Sequence, residues 1–173
     1  MSKRILIFGL NGAGKTTLGR ESARILQIPH LDIEDYAFLP SAIPYTVKRS
    51  KEECRELLLA DLQKSPACVF TAVQGDFGTE FFSMFRLAFF LSAPLDVRLE
   101  RIRERACRQY GQRVISGDMA GQQKEFLQFA ASRPLEPVIK WGRSLRCPMI
   151  CLDGTRLVSE NALLIAEKYA AFS

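Results

Sequence analysis

A single histidine, His30, and five cysteines without a CxxC spacing leave little material for a metal centre or a disulfide framework. Cys54, Cys68, Cys107, Cys147 and Cys151 are odd in number, so they read as free thiols of a reducing cytosol. Cys147 and Cys151 have neither a histidine nor a second cysteine pair to complete a ligand set. His30 opens an apolar segment and reads as structural. No uninterrupted apolar stretch approaches the roughly 20 residues of a membrane span. The apolar run within residues 1–8 is too short and too early for a signal peptide. These absences set the expectation of a cytoplasmic protein without membrane contact. An internal repeat, a low-complexity tract and a Pro/Gly-rich linker are also missing. With 173 residues, 47% of them hydrophobic, the chain is expected to fold as one domain spanning 1–173 around its own core.

Charge is sparse in imbalance except at one place. Between Arg98 and Arg113 stand six arginines (98, 101, 103, 105, 108, 113) against Glu100 and Glu104, which accounts for four of the five net positive charges. A local cluster of this kind points to an anionic ligand. The rest of the chain is nearly balanced, which argues against a nucleic-acid-coating protein.

Periodicity predicts alternating strands and helices. Residues 3–8 (KRILIF), 30–33 (HLDI), 67–73 (ACVFTAV), 87–92 (LAFFLS) and 147–152 (CPMICL) read as five strands. Helical spacing follows the first at 15–27, where Leu18, Ala23, Ile25 and Leu26 are available to pack and Pro29 closes the segment. A second helix over 50–64 starts at Ser50 with Glu53 in the capping-box position. A short helix is expected around 81–85, a long arginine-bearing one from about Asp96, one carrying Phe126, Leu127, Phe129 and Ala130, and a last one over 161–172. Residues 109–125 are polar with three glycines and read as a mobile excursion. Strands apolar on both faces imply a parallel sheet covered on two sides, with ligands at the carboxyl ends of the strands.

Gly9-x-x-x-x-Gly14-Lys15-Thr16 lies between the first strand and the first helix and satisfies the GxxxxGK[ST] pattern. Gly9, Gly12 and Gly14 permit the backbone angles that turn successive N–H groups inward, while the new helix offers unpaired N–H groups and its positive dipole end. Gly9, Asn11, Gly12, Ala13, Gly14, Lys15, Thr16 and Thr17 are therefore expected to bind the phosphates of ATP or GTP. Lys15 would bridge the outer phosphates and the Thr16 hydroxyl would help hold Mg²⁺. A GTPase would need an NKxD motif, which is absent; Asp118–Gly121 fits DxxG only formally. Asp76–Gly78 spells DFG, but no HRD loop accompanies it. Neither candidate strand, VFTAVQGD or MICLD, ends in the Asp-Glu pair of a water-activating ATPase. Transfer to a bound acceptor is the better reading.

The chain as a whole, with the P-loop as its specific element, resembles the adenylate-kinase-like group of small P-loop kinases, which includes nucleoside monophosphate kinases, shikimate kinase and gluconate kinase. That resemblance implies a three-layer P-loop NTPase fold of the α/β class, a five-stranded parallel sheet with helices on both faces and a small lid. LSAPLDVRLERIRERACRQYGQR resembles the group's arginine helix opening into a lid, here the lid-like segment 109–125. Arg98, Arg101, Arg105 and Arg108 share one helical face, and Leu95, Leu99, Ile102 and Ala106 share another that would pack on the sheet. Guanidinium forks suit phosphate oxygens, so Arg101 and Arg105 are the catalytic candidates, with Arg113 as a further cofactor-binding one. The competing reading is a solvated face paired with Glu100 and Glu104.

Acceptor choice is placed in residues 36–60 and near Asp76. Asp32 is the candidate general base and metal ligand, with Glu34 and Asp35 behind it; capping a loop is its plainer role. KEECRELLL resembles the shikimate kinase helix whose arginine meets the substrate carboxylate, which maps to Arg55, and RPLEP resembles a second such segment at Arg133. Where shikimate kinases carry a run of glycines this chain has QGDFG, so Gly75 and Asp76 enter as substrate-binding candidates, and Asp76 would oppose a carboxylate. Asp153–Glu160 resembles the adenine-side loop, or is a plain turn. FGTEFFSMF is aromatic-rich and reads first as core, second as pocket lining. The sum is an ATP- and Mg²⁺-dependent kinase for a small-molecule acceptor, either a nucleoside or nucleotide or a small hydroxylated metabolite. A nucleotide-binding regulator and a kinase of nucleic-acid ends are the alternatives.

Overall fold

A computed structural model describes residues 3–75 and 77–171. Five parallel strands, β1 (Lys3–Phe8), β2 (His30–Asp32), β3 (Ala67–Ala72), β4 (Leu87–Ser92) and β5 (Met149–Asp153), line up in the order β2-β3-β1-β4-β5. In register, Ile5 faces Val69 on one side and Leu87 on the other, so the phosphate-loop strand is central. The helices are α1 (Lys15–Leu26), α2 (Ile33–Ala37), α3 (Lys51–Lys64), α4 (Leu95–Tyr110), α5 (Gln112–Ile115), α6 (Ala120–Ser132), α7 (Glu136–Arg143) and α8 (Val158–Ala171).

The period-two alternation of β1 divides its side chains between two cores. Leu6 and Phe8 join Phe70 and Phe90 beneath α3 and α7, together with Leu58, Leu62 and Val138. Ile5 and Ile7 join Val69, Phe89 and Leu91 beneath α1 and α8, together with Leu18, Ala23 and Ile165. Each such fully buried side chain contributes about 1.5–3 kcal/mol of transfer free energy, which fixes the sheet as the rigid base of the molecule. The aromatics of the Thr79–Ser83 3₁₀ turn and its flanks are core: Phe81 packs edge-on to Phe70 at 5.9 Å and lies 5.8 Å from Trp141. His30 contacts Thr71 Oγ1 at 3.0 Å and is structural. The capping box of α3 forms as expected, Ser50 Oγ accepting from Glu53 N.

Three expectations are corrected. Residues 109–125 are mostly helical, divided between the end of α4, α5 and the start of α6, so α6 begins six residues before Phe126. Ala106 does not pack on the sheet. It joins Val114 and Met119 in a small cluster of its own, while Leu95 is 45% exposed. α1 ends at Leu26 because Gln27 adopts a left-handed conformation (φ 57°), before Pro29 is reached.

Candidate active site

β1 delivers the chain into the Gly9–Gly14 turn, and α1 starts at Lys15 with Gly14 as its N-cap. No side chain caps this helix, so its first amides remain available to an anion. Gly12 (φ 81°) and Gly14 (φ 100°) sit in the left-handed region, and a Cβ on Gly12 would run into the backbone carbonyl of Arg98. Lys15 Nζ donates to Leu10 O at 3.1 Å. Burial draws its pKa down to about 8; Glu34 and Asp32 oppose that shift, and Arg105 and Arg133 add to it.

The carboxylate side is as tightly drawn. Thr16 Oγ1 donates to Asp32 Oδ2 at 2.6 Å, and Asp32 Oδ1 accepts from Glu34 N at 3.1 Å. Asp32 therefore caps α2, the plainer role read from sequence, while its other oxygen reaches the phosphate loop through Thr16. Glu34 is held above the ordinary carboxyl range, first by burial and then by Asp32, with Arg105 and Lys15 pulling it back.

The arginine stripe divides its work. Arg98, only 6% exposed, donates to Asn11 O at 3.0 Å, and Arg101 donates to Ala13 O at 3.1 Å and Gly154 O at 2.8 Å. Both clamp the loop backbone through carbonyls. Arg105, a turn further on, lines the open cleft. Arg133, ahead of α7, donates to Asn11 Oδ1 at 3.1 Å with its guanidinium 5.3 Å over the Phe129 ring.

Two cavities meet here. The first, about 310 Å³, runs from Gly12–Thr17 past Asp32 and Arg101 to Gly154 and Asn161, so the Asp153–Glu160 turn closes its far end. Asn161 Nδ2 fixes that turn by donating to Asp153 O at 2.8 Å. The second, about 510 Å³, is bounded by Tyr45, Gln74, Phe126 and Arg133. Asn11, Ile33, Glu34, Val73, Ile102 and Arg105 line both.

The structure leaves other candidates outside the cleft. Arg113 pairs with Asp118 at 2.8 Å and donates to Ala42 O at 3.3 Å. Arg55 pairs with Glu80 at 2.9 Å on the protein surface. Gly75 offers its carbonyl to Trp141 Nε1 at 2.8 Å, and Asp76 lies outside the described residues. Sequence reasoning singled out none of Tyr45, Gln74, Gln122, Gln123 and Phe126, which have no motif; Tyr45 lies within the 36–60 region given to the acceptor, and Gln122 and Gln123 within the amide-rich GQQKE.

A central strand, a glycine loop and a helix in a 2-3-1-4-5 parallel sheet, with an arginine helix over the loop, give the chain the architecture of the small P-loop kinases. The chain belongs to the family of the uncharacterized protein YqaC of Bacillus subtilis (strain 168), with 33% identity over 172 residues, covering 93% of this chain and 94% of that protein. It is also 33% identical over 109 residues to a shikimate kinase of Enterococcus faecalis, covering 58% of this chain and 65% of that enzyme. The solved shikimate kinase of Bacteroides thetaiotaomicron shares the fold at a TM-score of 0.60 and 20% identity, over 95% of this chain and 97% of that one. No protein-family model matches the chain. Among the described residues, no helix is long and apolar enough to cross a membrane.

Proposed function

We propose that this protein is an ATP-dependent kinase that phosphorylates a hydroxyl group of a small molecule. The observation that carries the reading is the meeting of the two cavities at Glu34 and Arg105, between the phosphate loop and a separate second chamber. Phosphoryl transfer asks the protein chiefly to align two substrates and to neutralise spreading charge. In this reading ATP occupies the first cavity, its phosphates on the Gly9–Thr17 backbone and Lys15, its base end toward Gly154 and Asn161. The Thr16 hydroxyl and the Asp32 carboxylate, 2.6 Å apart, form a hard oxygen pair suited to Mg²⁺, which would supply neutralisation of the outer phosphates.

The acceptor oxygen attacks the γ-phosphorus, the bond from that phosphorus to the β,γ-bridging oxygen breaks, and ADP leaves. The acceptor proton passes to a carboxylate. Asp32, the base expected from sequence, is given over in this reading to the metal as well as to Thr16 and the α2 cap, so the proton falls to Glu34, which faces both cavities. Glu34's raised pKa brings it nearer the neutral range at which a general base works best. Arg105 and Lys15 face the transferred group, and Arg101 acts through the loop carbonyl it holds. A nucleic-acid-end kinase fits less well, because Arg98 and Arg101 of the arginine stripe turn inward onto loop carbonyls.

The test is an ATP-consumption screen with Mg²⁺ against nucleosides, nucleotides, shikimate-like acids and sugars, with Lys15→Ala as control. A Lys15-dependent signal with one acceptor class is the expected result. Tight ATP binding without turnover against any acceptor would instead make the protein a nucleotide-binding regulator.

A further inference from the structure

The second cavity carries more information than its size. Gln74, Gln122 and Gln123 stand on its wall, and each has one buried amide atom without a hydrogen-bond partner among the described residues: Gln74 Oε1, Gln122 Oε1 and Gln123 Nε2. Folded proteins leave few such atoms, because each forfeits its bonds to water without replacement. Here three gather around one chamber, with both acceptor and donor character among them. Gln122 is additionally pinned by its other amide atom, which donates to Pro44 O at 2.9 Å. Around the amides stand aromatic rings from three elements: Phe38 and Tyr45 before α3, Tyr110 at the end of α4, and Phe126 and Phe129 on α6. Tyr45 is one of two described non-glycine residues with positive φ, at 64°, a conformation that a tyrosine adopts only where its surroundings impose it.

We infer that the acceptor is a nucleoside, its flat base received among the aromatic rings and read at its edge by Gln74, Gln122 and Gln123. The inference rests on the kinase reading above and sharpens its substrate. Rings offer faces to a planar heterocycle, and amides offer paired donors and acceptors to its edge. Two further observations narrow the choice. Arg55, one of the two arginines that would meet a substrate carboxylate by resemblance to shikimate kinases, is outside the cavity and paired with Glu80, so of that pair only Arg133, held by Asn11 Oδ1, reaches the chamber. Glu34 stands beside Arg105 at the junction, where its carboxyl group can hydrogen-bond an arriving hydroxyl.

The test separates this inference from the reaction. Calorimetric titration of the full chain without ATP, with purine and pyrimidine nucleosides, their 5′-monophosphates, shikimate and a neutral sugar as probes, reads the pocket alone. ATP consumption with the same panel reads the kinase assignment. A nucleoside is expected to bind at one site at least about tenfold more tightly than shikimate or the sugar, and Gln74→Leu and Gln123→Leu are each expected to weaken it about tenfold. Should a leucine variant lose its fold by circular dichroism, the wild-type preference decides. Tighter binding of shikimate, the sugar or a monophosphate, or binding of no panel member, overturns the inference. Lys15-dependent consumption with an acceptor other than a nucleoside overturns it while leaving the kinase reading in place. Nucleoside binding that never supports ATP consumption upholds the pocket and removes the kinase.

Discussion

On the phosphate-loop side of the cleft, the parts that would meet a ligand are chiefly main-chain groups, glycine amides and an uncapped helix end, in a loop whose carbonyls Arg98 and Arg101 grip from behind. On the other side they are side-chain tips, from Tyr45, Gln74, Gln122, Phe126 and Arg133, carried by separate elements. Backbone recognition needs particular residues in a fixed order, because only glycine tolerates φ of 81° against a neighbouring carbonyl. Side-chain recognition needs only that distant residues arrive at one place. The first kind writes a motif and the second does not.

The contrast can be broken at its most exposed point by Lys15→Ala. If the loop supplies the transition-state charge, turnover is expected to fall about 10³-fold with the fold intact, read by ATP consumption and circular dichroism. A drop of only a few-fold would mean that the arginines carry the chemistry without it. Gly12→Ala should cost about 2 kcal/mol in urea denaturation, from the disfavoured φ and the carbonyl of Arg98. An unchanged midpoint would show that the loop is not pre-formed against α4.

The next effect is on pH. In the free protein Lys15 loses its proton above about 8, whereas phosphates favour its charged form and raise its pKa in the complex. Binding ATP therefore takes up a proton in that range, and affinity falls as pH rises. From about pH 7 to about pH 9, ATP should bind about tenfold more weakly, and calorimetry in buffers of different ionisation enthalpy should register the proton uptake. A flat profile would place Lys15 in a wetter site. The smallest effect belongs to Arg113→Ala. Its pair with Asp118 is about half exposed, so stability should change by less than about 1 kcal/mol and ATP affinity by less than about twofold. A larger loss of affinity would bring residues 109–125 over the phosphates and soften the division between the two halves.

The same division explains what could be read in the sequence. The longer strands declared themselves because they are mostly apolar and bounded by turn residues, and the loop because glycine spacing has a mechanism behind it. Residues 109–125 misled because their helices bury little, chiefly Val114 and Met119, while Gly111, Gly117 and Gly121 punctuate them as a loop would be punctuated. Arg98 shares a helical face with Arg101 and Arg105, and spacing on a helix cannot tell a guanidinium that faces a ligand from one buried against a carbonyl, as Arg98 is. Glu34 was visible only as a neighbour of Asp32. Its claim rests on both oxygens of Asp32 being taken, which only coordinates reveal.

α4 is stapled at its start to the phosphate loop, through Arg98 and Arg101, and ends at Tyr110 in the wall of the second chamber. A rod fixed along half its length is a poor place for a joint. The first residue free to turn is Gly111, at φ 54°, whose missing Cβ would meet nothing within 4 Å. In the kinase reading, motion of α5 and α6 about that point would open the second chamber while a nucleotide stayed seated in the first. In steady-state kinetics the two substrates would then come and go in either order, and initial-rate patterns demanding a compulsory sequence would place the joint elsewhere.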